Sequence, residues 1–233
     1  MKGSDAAPDV ADGIRSVLAH VGDPERAAGQ QRYMKSTVPY RGITSAELKK
    51  VLRPILAGWA PASRAAWEGS VRGLWDDAAY REERYAALAL VKHRVAKQWL
   101  DVEALPLLRH LIVTGAWWDL VDDVSTHPLR DALLADRSRV DPVMRVWALG
   151  EDQWLRRASL LCQITTKDQV DTRLLRHAVE ANMDEKSFWL RKAIGWALRD
   201  YAHTDPEWVR AEVDRLGDRL SGLSRREATK HLR

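Results

Sequence analysis

The sequence predicts an all-α fold, an α-solenoid in which helical pairs stack along the chain, and three observations predict it. Helix signals cover nearly all of the 233 residues, no run of alternating β-branched residues appears, and one helical motif returns about every 35 residues. That length suffices for one sizeable core or one extended array. No linker long enough to split the chain is visible, so a single domain over residues 1–233 is expected, with a flexible start over about residues 1–8.

The elements follow in order. In "TSAELKKVLRPILAGW", Thr44 or Ser45 supplies a helix cap, Glu47 sits in the first turn, and apolar residues recur at helical spacing before Gly58. Pro54 interrupts or kinks that helix. "YREERYAALALVKHRV", "DVEALPLLRHLIVTG", "DPVMRVWALG", "DQWLRRASLLCQI", "FWLRKAIGWALRDYA" and "DPEWVRAEVDRL" repeat the pattern, with Gly or Asp/Pro between them. The expectation is about a dozen short helices.

The repeat fixes how they are organised. "WLRRASLL" from Trp154 and "WLRKAIGW" from Trp189 share a Trp-Leu-Arg-basic-Ala pattern 35 residues apart. A step of 36 back from Trp154 reaches Trp118, and the same step from Ala158 reaches Asp122 and then Ala86. A two-helix unit of this length implies HEAT-like or armadillo-like repeats, each covering its neighbour's apolar face. Stacking such units gives a curved array, here expected to carry a basic concave face suited to an elongated partner.

Composition narrows the partners. The chain is 45% hydrophobic and 30% charged, as in a folded soluble protein. No apolar run reaches the roughly 18 residues of a membrane span, and the start lacks a signal peptide's apolar core. Cys162 is the only cysteine, which excludes an internal disulfide framework and any thiolate-rich metal centre. A cytoplasmic protein is expected. The net charge is only +4, but 37 Lys plus Arg and a pI of about 9.3 leave room for one strongly basic face, and so for a polyanion. Tryptophan is abundant, 11 against 1 Phe, and offers flat faces for bases or cations as well as bulk for a core.

The segment "TGAWWDLVDDVSTH" departs from the repeat. Where the later units carry Ala158 and Ala193 four residues after the tryptophan, this one carries Asp122. Positions four apart share a helix face, so Trp118 and Asp122 stand side by side. A carboxylate there is costly if buried without a partner and useful if it lines a cleft. The plain alternative is a structural carboxylate, satisfied by backbone N–H groups or by a neighbouring arginine. By the same reasoning Trp118 and Trp196 are core, Arg157 is a surface or ion-pairing residue, Asp119 and Asp123 are capping or solvated, and His127 before Pro128 is a turn residue. No phosphate loop, HExxH, GxSxG, Cys/His nucleophile pair or metal-spaced histidine occurs.

Four stretches in order, "TGAWWDLVD", "WLRRASLL", "KAIGWALRDYA" and "LSRREATKHLR", resemble the signatures of the AlkD-type alkylpurine DNA glycosylases, and "YMKSTVPYRGITSAELKKVL" resembles that family's N-terminal portion. Together they cover the chain from about residue 20 onward. The resemblance implies catalytic roles for Asp122, as the carboxylate, for Trp118 and Trp196, as aromatic walls, and for Arg157, assigned here to a backbone phosphate. It implies a monofunctional enzyme that hydrolyses the N-glycosidic bond of cationic N3- or N7-alkylated purines in duplex DNA, leaving an abasic site, with the base free to stay stacked. Lys35, Arg41, Arg156, Arg199, Arg225, Arg226 and Lys230 are the expected DNA phosphate contacts. No metal or organic cofactor and no obligate protein partner is expected, and a monomer is. Two other readings stay open: a specialised glycosylase for bulky or crosslinking natural-product adducts, and a non-catalytic DNA-binding or scaffold repeat protein.

Overall fold

The computed structural model describes residues 10–232. Every element among them is helical, and they fall into two compact units, one reaching Trp99 and one beginning at Leu100. The flexible start expected over residues 1–8 lies outside the described residues.

The first unit contains α1 (Val10–Ala19), α2 (Pro24–Met34), α3 (Ser45–Ala57), α4 (Arg64–Asp76) and α5 (Arg81–Val91). Apolar spacing selects the buried faces: Ala11, Ile14 and Leu18 on α1, and Trp67, Val71, Leu74 and Trp75 on α4. The expected cap at Thr44 forms a full capping box, Thr44 Oγ1 accepting from the Glu47 N–H and Glu47 accepting from the Thr44 N–H. Helix α3 continues through Pro54 to Ala57. The connection before it is held from α5, where the fully buried Glu82 carboxylate accepts from the backbone N–H groups of Arg41 and Ile43 at 3.0 and 3.1 Å. Gly42 has φ +80°, and a Cβ there would lie 2.9 Å from the Ala27 nitrogen, so glycine is needed for this close approach.

The second unit contains α6 (Leu105–Gly115), α7 (Trp118–Val124), α8 (Arg130–Ala135), α9 (Arg137–Leu149), α10 (Gln153–Leu161), α11 (Thr172–Glu180), α12 (Phe188–Tyr201), α13 (Pro206–Leu216) and α14 (Gly222–Ala228). Helix α10 lies centrally, against α6, α7, α9, α11 and α12. Leu160, Leu161, Ala178, Leu190, Ala193, Ile194 and Val213 form one core across α10 to α13. The polar contacts between stacked layers repeat the sequence period. Arg139–Glu103, Arg157–Asp122, Arg176–Glu212, Lys192–Glu227, Arg215–Glu180 and Arg219–Asp184 each join residues 35 or 36 apart. Side chains one repeat apart therefore meet across the stack, as helical repeats require.

One local expectation is corrected. His127 is not in a turn: α7 passes into a widened π-helical stretch, Ser125–Leu129, which leads directly into α8. Pro128 has no N–H to give the preceding turn, and the helix is widened where it sits. Ser125 Oγ donates to the Val121 carbonyl and Thr126 Oγ1 to the Asp122 carbonyl, at 2.5 and 2.8 Å.

Candidate functional site

Helix α7 begins at Trp118 and carries Asp122 one turn on, with both side chains half-buried. Helix α10 starts at a cap in which Asp152 accepts from the backbone of Trp154 and Leu155, at 2.8 and 2.9 Å. That fixed start sets the rotation of Arg157, whose side chain is 5% exposed. Its guanidinium meets Asp122 in a two-pronged pair: Nε donates to Oδ1 at 2.6 Å and Nη2 to Oδ2 at 2.8 Å. Nη1 donates to the Trp189 carbonyl at 2.5 Å, so α7, α10 and the start of α12 converge on one guanidinium.

The Asp122 side chain keeps 15% of its surface exposed. Burial pushes its pKa above the ordinary carboxylate value, opposed by the hydrogen bonds and charge of Arg157. Both oxygens accept from the fork, an arrangement that matches an ionised carboxylate. Each oxygen also keeps a lone pair outside the fork, directed away from the arginine. Arg157 is thus turned to the carboxylate and is only 4% exposed.

Residues next to this pair in the chain form an aromatic cluster the sequence reading missed. Trp117, Trp154 and Trp189 form a triangle, with ring centroids 6.3, 5.4 and 5.8 Å apart. Phe188, 55% exposed, meets the edge of Trp189 at 5.2 Å. The signal was present, since Trp154 and Trp189 are the repeat markers, but the periodic step back leads to Trp118 whereas the ring in contact is Trp117. Trp117 precedes α7 in an extended conformation and so falls outside the helical phase. Trp196 lies half-buried on α12, seven residues and about two turns beyond Trp189, on nearly the same helix face.

The expected phosphate contacts divide into two groups. Lys35, Arg226 and Lys230 are exposed. The others are engaged inside the protein. Arg156 bonds Asn182 at 2.7 Å and Glu185 at 2.9 Å, Arg199 pairs with Glu227, and Arg225 donates to the Gly217 carbonyl at 2.7 Å. Arg41 lies over the Tyr80 ring, 3.8 Å from its centroid. Among the described residues, no group of three or more His, Cys, Asp or Glu side chains is arranged to hold a metal ion, and no helix is long and apolar enough to cross a membrane.

Fold and site together define a class: an all-α protein of stacked helical repeats that clamps one carboxylate with an arginine between successive layers. The chain belongs to the family of DNA alkylation repair enzymes, whose model matches residues 14–232. It is similar in structure to a predicted DNA alkylation repair enzyme from Enterococcus faecalis, with a TM-score of 0.80 and 26% identity over 91% of this chain and 96% of that one. Comparison with curated proteins found no match.

Proposed function

We propose that this protein is a monofunctional DNA glycosylase that releases cationic N3- or N7-alkylated purines from duplex DNA and leaves an abasic site. The observation that carries the reading is the Asp122 carboxylate, held two-pronged by Arg157 in a largely dry setting with part of its surface open. Alkylation places a positive charge on the purine and makes it a good leaving group, so no strong general acid is needed. As the bond breaks, the sugar acquires oxocarbenium character. An anion fixed in advance then stabilises it without reorganising at the moment of reaction.

Arg157 limits that effect, and the limit sets the geometry. At about 4 Å and an effective permittivity of about 20, the carboxylate stabilises a unit positive charge by about 4 kcal/mol. A guanidinium behind it, at about 8 Å, subtracts about 2 kcal/mol. The remainder of about 2 kcal/mol corresponds to about 30-fold in rate. The deoxyribose must therefore approach the face of Asp122 opposite Arg157, where the free lone pairs also orient or deprotonate the attacking water. Trp118 and Trp196 supply electron-rich faces for the cationic lesion and sugar. Lys35, Arg226 and Lys230, the exposed members of the expected set, hold the phosphates. With no enclosing pocket required, the base can stay stacked in the duplex.

The test is incubation of the purified protein with duplex DNA containing 7-methylguanine. Release of the free base by the wild type and not by Asp122→Asn supports the reading. Equal release by both removes Asp122 from its role. The two-pronged pair is also what a purely structural carboxylate would make, and this favours a second reading, a repeat protein that binds DNA without excising a base. Salt-sensitive duplex binding with no release by the wild type would establish that alternative.

A further inference from the structure

The first unit carries a basic turn that none of the expected DNA contacts includes. Helix α5 ends at Val91 with Lys92 as its C-cap, and after His93 the chain makes a 3₁₀ turn over Arg94–Trp99. Ala96 is buried beneath it, while Lys92, Arg94, Lys97 and Gln98 are exposed.

Both ends of this turn are clasped. At the near end the His93 ring packs on Trp59, with centroids 5.4 Å apart. Burial and the charge of Arg94 hold the His93 pKa below its ordinary value, so the ring is neutral near pH 7 and packs as an aromatic group. At the far end Trp99 stacks on Trp67 at 5.7 Å, and Arg64 Nη1 donates to the Trp99 carbonyl at 2.7 Å. An exposed polar turn is ordinarily free to move; this one is pinned to the residue 59–67 region by two aromatic contacts and a charged hydrogen bond.

The pinned turn presents Arg94 and Lys97 to solvent. Among the described residues neither Arg94 nor Lys97 pairs with a carboxylate, in contrast to Arg145, Arg176 and Arg215 in the second unit. Residues three apart in a 3₁₀ helix lie on one face, about 6 Å apart along the axis. That step is short enough for two cations to meet successive phosphates of one strand.

We propose that Arg94 and Lys97, preorganised by the Trp59–His93 and Trp67–Trp99 clasps, form a phosphate-binding site in the first unit that grips the backbone of duplex DNA without reading sequence or lesion. The proposal rests on the DNA-binding part of the proposed function and on none of its chemistry. Fixing the backbone of the turn in advance removes the ordering entropy that a mobile loop would otherwise lose on contact.

The test uses the full chain with Arg94→Gln and Lys97→Gln together, and a fluorescently labelled duplex without a lesion, with affinity measured by anisotropy at several salt concentrations. Both side chains are exposed, so helicity and melting temperature should match the wild type. Losing two phosphate contacts should reduce the slope of log affinity against log salt by about 1.8, which makes the fall in affinity from about 50 to about 200 mM salt about 12-fold smaller. Single-turnover base release at saturating protein should be unchanged, since neither group meets a reacting atom. An unchanged slope, or a change with single-stranded RNA and not with the duplex, overturns the proposal. If the wild type releases no base while the variant still loses slope, the phosphate site stands and the glycosylase reading fails.

Discussion

Replacing Arg157 by methionine keeps most of the buried stem and removes the fork, so it isolates what the pair contributes. Three hydrogen bonds are lost, two to Asp122 and one to the Trp189 carbonyl. The larger effect is the carboxylate left behind with 15% of its surface exposed. Breaking a buried pair costs about 3–5 kcal/mol, and the residual access to water puts this case at the lower end, about 3 kcal/mol. In urea unfolding followed by tryptophan fluorescence, that is a midpoint lowered by about 1 M or more. The pH dependence has a definite sign. Burial already raises the pKa of Asp122, and Arg157 is the main opposing influence, so its removal raises the folded-state value further. A carboxyl with a raised folded pKa contributes most below its unfolded value and loses that contribution as pH climbs through the folded one. The deficit of Arg157→Met relative to wild type should therefore shrink between about pH 7 and about pH 4. Adding Asp122→Asn should recover part of the loss, since no charge is then left unpaired. A cost under about 1 kcal/mol, or one that does not change with pH, would refute the buried pair as described.

Two further outcomes test the scaffold. Glu82→Gln places an amide where a carboxylate oxygen now accepts backbone N–H groups from Arg41 and Ile43, and it should cost about 2 kcal/mol in chemical unfolding; unchanged stability would mean that the clasp on this connection is dispensable. Cys162 is fully buried and its thiol is pushed up to about 12, so a thiol reagent at neutral pH should leave the folded protein unlabelled and modify one equivalent on unfolding. Rapid labelling of the native state would contradict its place in the core.

Much of this was legible in sequence because helices and repeats leave periodic marks. The Thr44–Glu47 box announced α3, and the Trp154–Trp189 step announced the stacking. The same period explains why Asp122 and Arg157, 35 apart, touch: side chains one repeat apart belong to neighbouring layers. What the period could not supply was direction. A guanidinium fits a phosphate as well as a carboxylate, and only the packing of α7, α10 and α12 decides that Arg157 faces inward. Of two adjacent tryptophans, the extended residue before the helix, Trp117, joins the aromatic triangle, because it does not follow the helical phase. His127 read as a turn because Pro128 follows it, yet the chain passes the proline in a widened π-helical stretch and continues into α8. Arg94 and Lys97 carry no repeat signature, and the clasps that hold their turn, Trp59–His93 and Trp67–Trp99, join residues more than 30 apart in sequence.

The central claim is that Asp122 lowers the barrier to glycosidic cleavage. It is tested most directly by single-turnover release of 7-methylguanine at saturating protein, with duplex affinity measured in parallel, for wild type and Asp122→Asn. The account predicts a rate about 1,000-fold lower in the variant, because the carboxylate's stabilisation of about 4 kcal/mol is lost while Arg157 remains, with affinity for the undamaged duplex close to that of the wild type. Equal rates at equal affinity would contradict it.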